Sequence, residues 1–198
     1  MADCLEIFDD YQKKEYPVWL KEKSYEGFTY KDYLSWDDNI RVEIIDGIVY
    51  MMGGASEWHQ DMAGDIFHQL KLFFKDKTCK PYIAPFDVRL FPQNDLKDKT
   101  VIQPDILVVC DKSKIQPKGI CGAPDFIIEI MSDSSEAHDM ITKKKLYESS
   151  GVREYWIVQQ KKIYKYHLVD GKYIETIHDL FNGAKLDSEI FPGCTMEF

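Results

Sequence analysis

Two acidic residues stand where their neighbours argue against them. Asp105 opens the run Ile106-Leu-Val-Val109, and Glu129 interrupts Phe126-Ile-Ile-Glu-Ile-Met131. Both runs read as strands covered on both faces, where near-continuous hydrophobic sequence is the rule. A carboxylate buried there is costly unless it is paired, capped or bound to a cation. Carboxylates from two neighbouring strand ends would suit Mg2+ or Mn2+, which take oxygen ligands in octahedral geometry. The plainer alternative is that Asp105 caps a turn after Pro104 and that Glu129 makes a structural ion pair. Downstream, Asp139, Lys143 and Tyr147 fall at i, i+4 and i+8 and share one helix face. A lysine aimed at a bound water can orient that nucleophile and stabilise charge developing on a phosphate. The alternative is a solvated basic stripe, since Lys143-Lys144-Lys145 must point most of its charges elsewhere.

The elements that must position these residues can be traced along the chain. Residues 28–36 read as a short helix with Thr29 as N-cap. Residues 41–52 form a hairpin around Asp46-Gly47, the pair that a tight two-residue turn favours. Residues 57–75 form an amphipathic helix with Ala63, Ile66, Leu70 and Phe73 on its inner face and His59 on the same face near its start. A strand is expected over 82–91, followed by a polar, exposed loop over 92–99. The two apolar strands then cover 102–110 and 125–131, and a helix over 136–150 stops at Gly151. Strands over 152–159, 161–169 and 172–178 complete the pattern, with Asp170-Gly171 turning between the last two. Such a mixture predicts an α/β (α+β) domain, a mixed sheet flanked by helices. Residues 1–25 read as an N-terminal extension and 26–198 as the domain.

Taken together, several stretches resemble the Uma2 family of restriction-endonuclease-like proteins. They are Glu43-Ile-Ile-Asp-Gly47, His59, Pro104-Asp105-Ile-Leu-Val108, Ile127-Ile-Glu129-Ile-Met-Ser132, Asp139-x-x-x-Lys143-x-x-x-Tyr147 and Gly151-Val-Arg-Glu-Tyr-Trp156. The resemblance runs from about residue 27 to Phe191-Pro-Gly193. It implies a PD-(D/E)XK nuclease fold, a mixed central sheet with a helix on each side, and metal-dependent hydrolysis of phosphodiester bonds. By match, Asp105 and Glu129 are metal ligands, Glu43 is a third carboxylate near the metal, and the carbonyl of Ile130 is a further ligand. The usual lysine two residues after the glutamate is Met131 here, so Lys143 on the following helix takes that role. His59 is read either as a satisfied core histidine or, by match, as a cleft residue meeting phosphate or metal-bound water. Two positions depart from the family: Gln159 stands where an aspartate is common, and Asp133 where a proline often follows the serine. Tyr155 and Trp156 read as core, and Glu154 as exposed or paired at the edge of the site.

Composition bounds these readings. Net charge is −9, against expectation for a protein holding nucleic acid by bulk electrostatics, although a carboxylate site adds negative charge of its own. No apolar run approaches the ~18 residues of a membrane span, and the acidic start lacks a signal pattern, so a cytoplasmic location is expected. The five cysteines are scattered, without zinc-finger spacing, and read as reduced thiols. The expected partner is DNA, and restriction-like nucleases suggest a homodimer by analogy. Two rivals stand beside the nuclease: a non-catalytic interaction module on the same fold, and a metal-dependent hydrolase of a small phosphorylated substrate.

Overall fold

In this computed structural model the described residues are 27–36, 41–131 and 137–198. The expected N-terminal extension lies outside them, as do Ser132 and Asp133. Helix α1 (Tyr30–Tyr33) is short and starts at a capping box in which Thr29 and Asp32 satisfy each other's backbone. Strands β1 (Val42–Ile45) and β2 (Ile48–Met51) follow, joined by the expected turn, where Asp46 and Gly47 both take positive φ (52° and 83°). Helix α2 (Glu57–Phe73) is capped by the Ser56 hydroxyl, which accepts from the His59 amide.

Two expected strands are each divided by the fold. Residues 82–91 become β3 (Lys80–Ile83) and β4 (Asp87–Arg89), and residues 102–110 become β5 (Val101–Ile102) and β6 (Ile106–Val109). In both cases the break holds a proline, Pro85 or Pro104, which has no N–H to give a ladder. The Ala84 amide donates to the Asp105 carbonyl across the two breaks (2.9 Å). Short strands β7 (Ile115–Gln116) and β8 (Gly119–Cys121), unforeseen in the sequence, precede β9 (Phe126–Ile130). Helix α3 (Ala137–Ser150) leads through Gly151 to β10 (Glu154–Val158), β11 (Lys162–Val169) and β12 (Lys172–Asp179). A final hairpin, β13 (Lys185–Asp187) with β14 (Thr195–Glu197), was also unforeseen.

The fold class is the expected one, but the strands form two six-stranded sheets in place of a single central sheet. Sheet A runs β2-β1-β5-β4-β8-β7 and sheet B runs β12-β11-β10-β9-β6-β3. Sheet B is mixed, with β9 and β10 parallel and its other pairs antiparallel. Alternation along β9 and β10 sends Phe126, Ile128, Trp156 and Val158 toward Ala63, Ile66 and Leu70 of α2. Ile127, Tyr155 and Ile157 face the other way, toward Leu146 and Tyr147 of α3 and toward Val88, Ile102 and Ile120 of sheet A. Each face of sheet B thus carries one helix, and sheet A shares the α3 side. The chain passes between sheets at residues 84–86 and again at 103–105, so Asp105 sits on a crossing.

Three further expectations are corrected. The 92–99 loop is not uniformly exposed: Asp98 is fully buried and binds the Arg89 guanidinium (2.7 Å) and the Gln93 amide (2.9 Å). Burying a charged arginine requires such a counter-ion. The cysteines are not all reduced, because Cys79 and Cys110 form a disulfide. Lys80 pairs with Val109 across antiparallel β3 and β6, which sets the next residues of each strand opposite one another. Glu154 is neither exposed nor at the site's edge. It is buried on the α2 face and accepts from Trp156 Nε1, the Ser188 hydroxyl and the amides of Glu189 and Ile190.

Gly119 lies opposite Asp87 so closely that an added Cβ would overlap the Asp87 carbonyl. Gly119→Ala is expected to destabilise the fold by about 1–3 kcal/mol, seen as a lower midpoint of urea unfolding. An unchanged midpoint would mean that β4 and β8 separate freely.

Candidate active site

The site forms where the two sheets and α3 meet. Glu43 enters from β1 of sheet A, and Glu129 from β9 of sheet B on the face turned toward α3. Lys143 of α3 reaches between them, 3.2 Å from Glu43 Oε2 and 3.1 Å from Glu129 Oε1. All three are buried (6%, 4% and 7% exposed), so this is a low-dielectric ion cluster and not a surface bridge. One turn beyond Lys143, the Tyr147 hydroxyl donates to the same Glu129 oxygen (2.7 Å). The helix spacing that aligned these residues therefore aims both at one carboxylate. The side chain of Asp139 is not among those described.

Asp105 joins the cluster from the inter-sheet crossing. Its amide approaches Glu129 Oε2 (3.4 Å), and its Oδ2 accepts from the Ile130 N–H (2.8 Å) and from His59 Nε2 (3.1 Å). Because Asp105 accepts, Nε2 is the donor, and His59 Nδ1 is left buried without a hydrogen-bond partner. His59 thus faces the cleft from the first turn of α2, and Ile130 meets the site through its amide. Gln103, which sequence reasoning passed over, supports Glu43: its amide donates to Glu43 Oε1 (3.0 Å). Its side-chain amide is held by Asp87 (2.9 Å) and Tyr33 (3.1 Å), while Gln103 Oε1 is buried and unpartnered. No periodic signal marks Gln103, and only its place before Pro104-Asp105 hints at a role. Met131, which stands where the family resemblance leads one to expect a lysine, is buried in the core. Gln159 makes a turn: its amide bonds the Lys162 carbonyl, and its side chain touches the Met140 sulfur.

These groups line a cleft of about 770 Å³, bordered by Arg41, Gly53-Gly54-Ala55 and Pro85. Three carboxylates there face one ammonium and one imidazole, with the Arg41 guanidinium at the border. Burial above all raises the Glu129 carboxyl, with Asp105 and Glu43 adding to the rise and Lys143 and the Tyr147 hydroxyl opposing it, to about 7 in all. Burial and the neighbouring Glu129 hold the Tyr147 hydroxyl well above its usual range, so it stays a proton donor. The hydrogen bond to Asp105 raises the His59 imidazole above 6.5, outweighing its burial. Among the described residues no three His, Cys, Asp or Glu side chains converge in a metal-binding arrangement; Lys143 takes the space between Glu43 and Glu129.

The chain, an α+β fold with two mixed sheets, has a solved counterpart. Its fold is similar to that of a crystal structure titled as "a putative nuclease belonging to DUF820" from Anabaena variabilis, with a TM-score of 0.64. The two share 14% identity, over 81% of this chain and 89% of that one. The chain belongs to the Uma2 family, described as "Putative restriction endonuclease", whose profile matches residues 30–198. It is also 25% identical over 136 residues to an uncharacterized protein, slr1290, of Synechocystis, covering 67% of this chain and 69% of the relative. Among the described residues no helix is long and apolar enough to cross a membrane.

In the metal-free protein, NMR titration of the His59 ring is expected to show a midpoint above 6.5. Asp105→Asn should bring it down. A histidine raised in the fold stabilises the folded state fully below pH 6.5, and that contribution is lost as pH rises through the His59 midpoint. A wild-type midpoint at or below 6.5 would contradict the His59–Asp105 bond.

Proposed function

We propose that the protein hydrolyses phosphodiester bonds in DNA with a hard divalent cation, Mg2+ or Mn2+. The observation that carries this reading is the buried Glu43–Lys143–Glu129 cluster, with the half-buried Asp105 beside Glu129, lining an open cleft. Its donor chemistry fits such a cation: carboxylate oxygens outnumber the cations facing them, and two buried polar atoms, His59 Nδ1 and Gln103 Oε1, lack partners. Glu43, Asp105, Glu129 and the Ile130 carbonyl are the groups that would hold it. When bound, a cation of this kind supplies Lewis-acid polarisation of the phosphate and acidifies a coordinated water.

The chain's own residues do the positioning. Lys143 can hold the attacking water by hydrogen bond and place positive charge beside the phosphate as negative charge grows. In that attack the water gives one proton to solvent as its oxygen bonds phosphorus, the opposite ester bond breaks, and the leaving oxygen takes up a proton from solvent. Tyr147 holds Glu129, His59 holds Asp105, and the Gln103 amide holds Glu43, so each carboxylate keeps its orientation as the charge moves. Met131 needs no catalytic role, because Lys143 reaches the same carboxylate from α3.

A second reading, hydrolysis of a small phosphorylated substrate, is favoured by the lining of the cleft. Arg41 and Lys143 are its arginine and lysine, few cations for a polyanion, and Lys143 also bonds Glu43 and Glu129. Nicking of supercoiled plasmid with Mg2+ or Mn2+, run beside bis(p-nitrophenyl) phosphate, separates the two. DNA cleavage reduced at least about 100-fold in both Asp105→Ala and Lys143→Ala is the expected result. Turnover of the small diester alone supports the second reading, and no turnover of either would contradict both.

A further inference from the structure

The long free edge of sheet B carries the clearest unassigned feature. β12 pairs with β11 along its whole length without a bulge, and among the described residues no strand covers its outer side. Ile174 and Ile177 are 56% and 52% exposed, and Phe181, just past the strand, is 65% exposed. Exposed straight edges of this kind template pairing with another strand unless they are blocked. The opposite edge of sheet B is the four-residue β3, whose Pro81 has no N–H to offer.

The turn fixes which atoms β12 presents. Asp170-Gly171 closes a two-residue hairpin, so Val169 and Lys172 exchange hydrogen bonds, and alternate residues after Lys172 do the same with β11. The amides of Tyr173, Glu175, Ile177 and Asp179 therefore point outward. The first is already bound by Glu148 of α3 (2.8 Å), which confirms the direction and leaves the edge from Glu175 onward.

We propose that this edge is a homodimer interface, in which β12 pairs antiparallel with β12 of a second copy and Thr176 stands opposite its own counterpart. Two-fold symmetry requires some residue to face itself, since any intermediate register sets side chains of opposite sheet faces against each other. Two such registers keep nearly all of β12 overlapped. The one centred on Glu175 puts two glutamates opposite one another, which is unfavourable. The one centred on Thr176 sets Thr176 on Thr176 and Glu175 on Ile177, with no like charges opposed. Tyr173 falls opposite Asp179, but its amide stays with Glu148, so the ladder's hydrogen bonds run between Glu175 and Ile177. It also places the exposed Ile177 side chains of both copies beside the axis. Sheet B would continue through the pair, and the two clefts would belong to one rigid body. This interface does not depend on the chemistry proposed for the cleft.

In this register Thr176 is a non-hydrogen-bonded pair, the position where opposed Cα atoms come closest, about 4.5 Å apart. The test is sedimentation of the full chain together with Thr176→Cys, Glu175→Cys and Ile177→Lys variants. The proposal expects a wild-type dimer and a covalent Thr176→Cys dimer on non-reducing gels after mild oxidation. It also expects little Glu175→Cys dimer, and at least tenfold weaker association of Ile177→Lys with unchanged circular dichroism. A monomeric wild type overturns the interface. A dimer that cross-links through Glu175→Cys and not Thr176→Cys overturns the register, and one indifferent to Ile177→Lys places the contact elsewhere.

Discussion

The site depends on one interaction, the clamp of the Lys143 ammonium between a carboxylate of each sheet. Glu43 belongs to sheet A, Glu129 to sheet B, and Lys143 to the helix that covers their junction. None of these charges is tolerable alone at its depth of burial, so the three are stable only as a set. The clamp therefore ties the packing of two sheets and a helix to the geometry of the cleft. It also explains why the polar groups around it are so fully specified. Tyr147, the Gln103 amide and the Ile130 amide each bond one of the carboxylates, and together they fix their directions.

Two buried glutamates one strand apart show how environment decides role. Glu154 on β10 is surrounded by donors from Trp156, Ser188 and the 189–190 backbone, and these pin the C-terminal segment to sheet B. Its hydrogen-bonding capacity is spent within the fold. Glu129 on β9 faces the opposite side, shares its donors with other carboxylates, and borders open space. A carboxylate with unmet negative neighbours beside a cleft is suited to chemistry, whereas one fully enclosed by donors is suited to structure.

Much of this was legible in the sequence where the signal is local or strongly periodic. Both two-residue turns, Thr29 and the inner face of α2 were readable, because turn chemistry, capping and helical spacing each act over a few residues. Asp105 and Glu129 stood out because a charge in an apolar strand is anomalous. The division into two sheets was not readable, since the runs around Pro85 and Pro104 stay hydrophobic on both sides of the break. Strands of two or three residues, such as β5, β7 and β8, are too short to show a period. Nor could sequence show that Glu154 turns away from the site or that Cys79 meets Cys110, since both follow from strand register across distant segments. Gln103 was missed because its contribution to Glu43 is made by its backbone.

The central claim is that the carboxylates clamped by Lys143 are a cation site serving hydrolysis. Calorimetric titration of Mn2+ into the wild-type protein and into Glu129→Gln tests it most directly. The account predicts saturable binding by the wild type and affinity weakened by roughly tenfold or more in the variant. A wild type that takes up no Mn2+, or a Glu129→Gln protein that binds it equally well, would contradict the account.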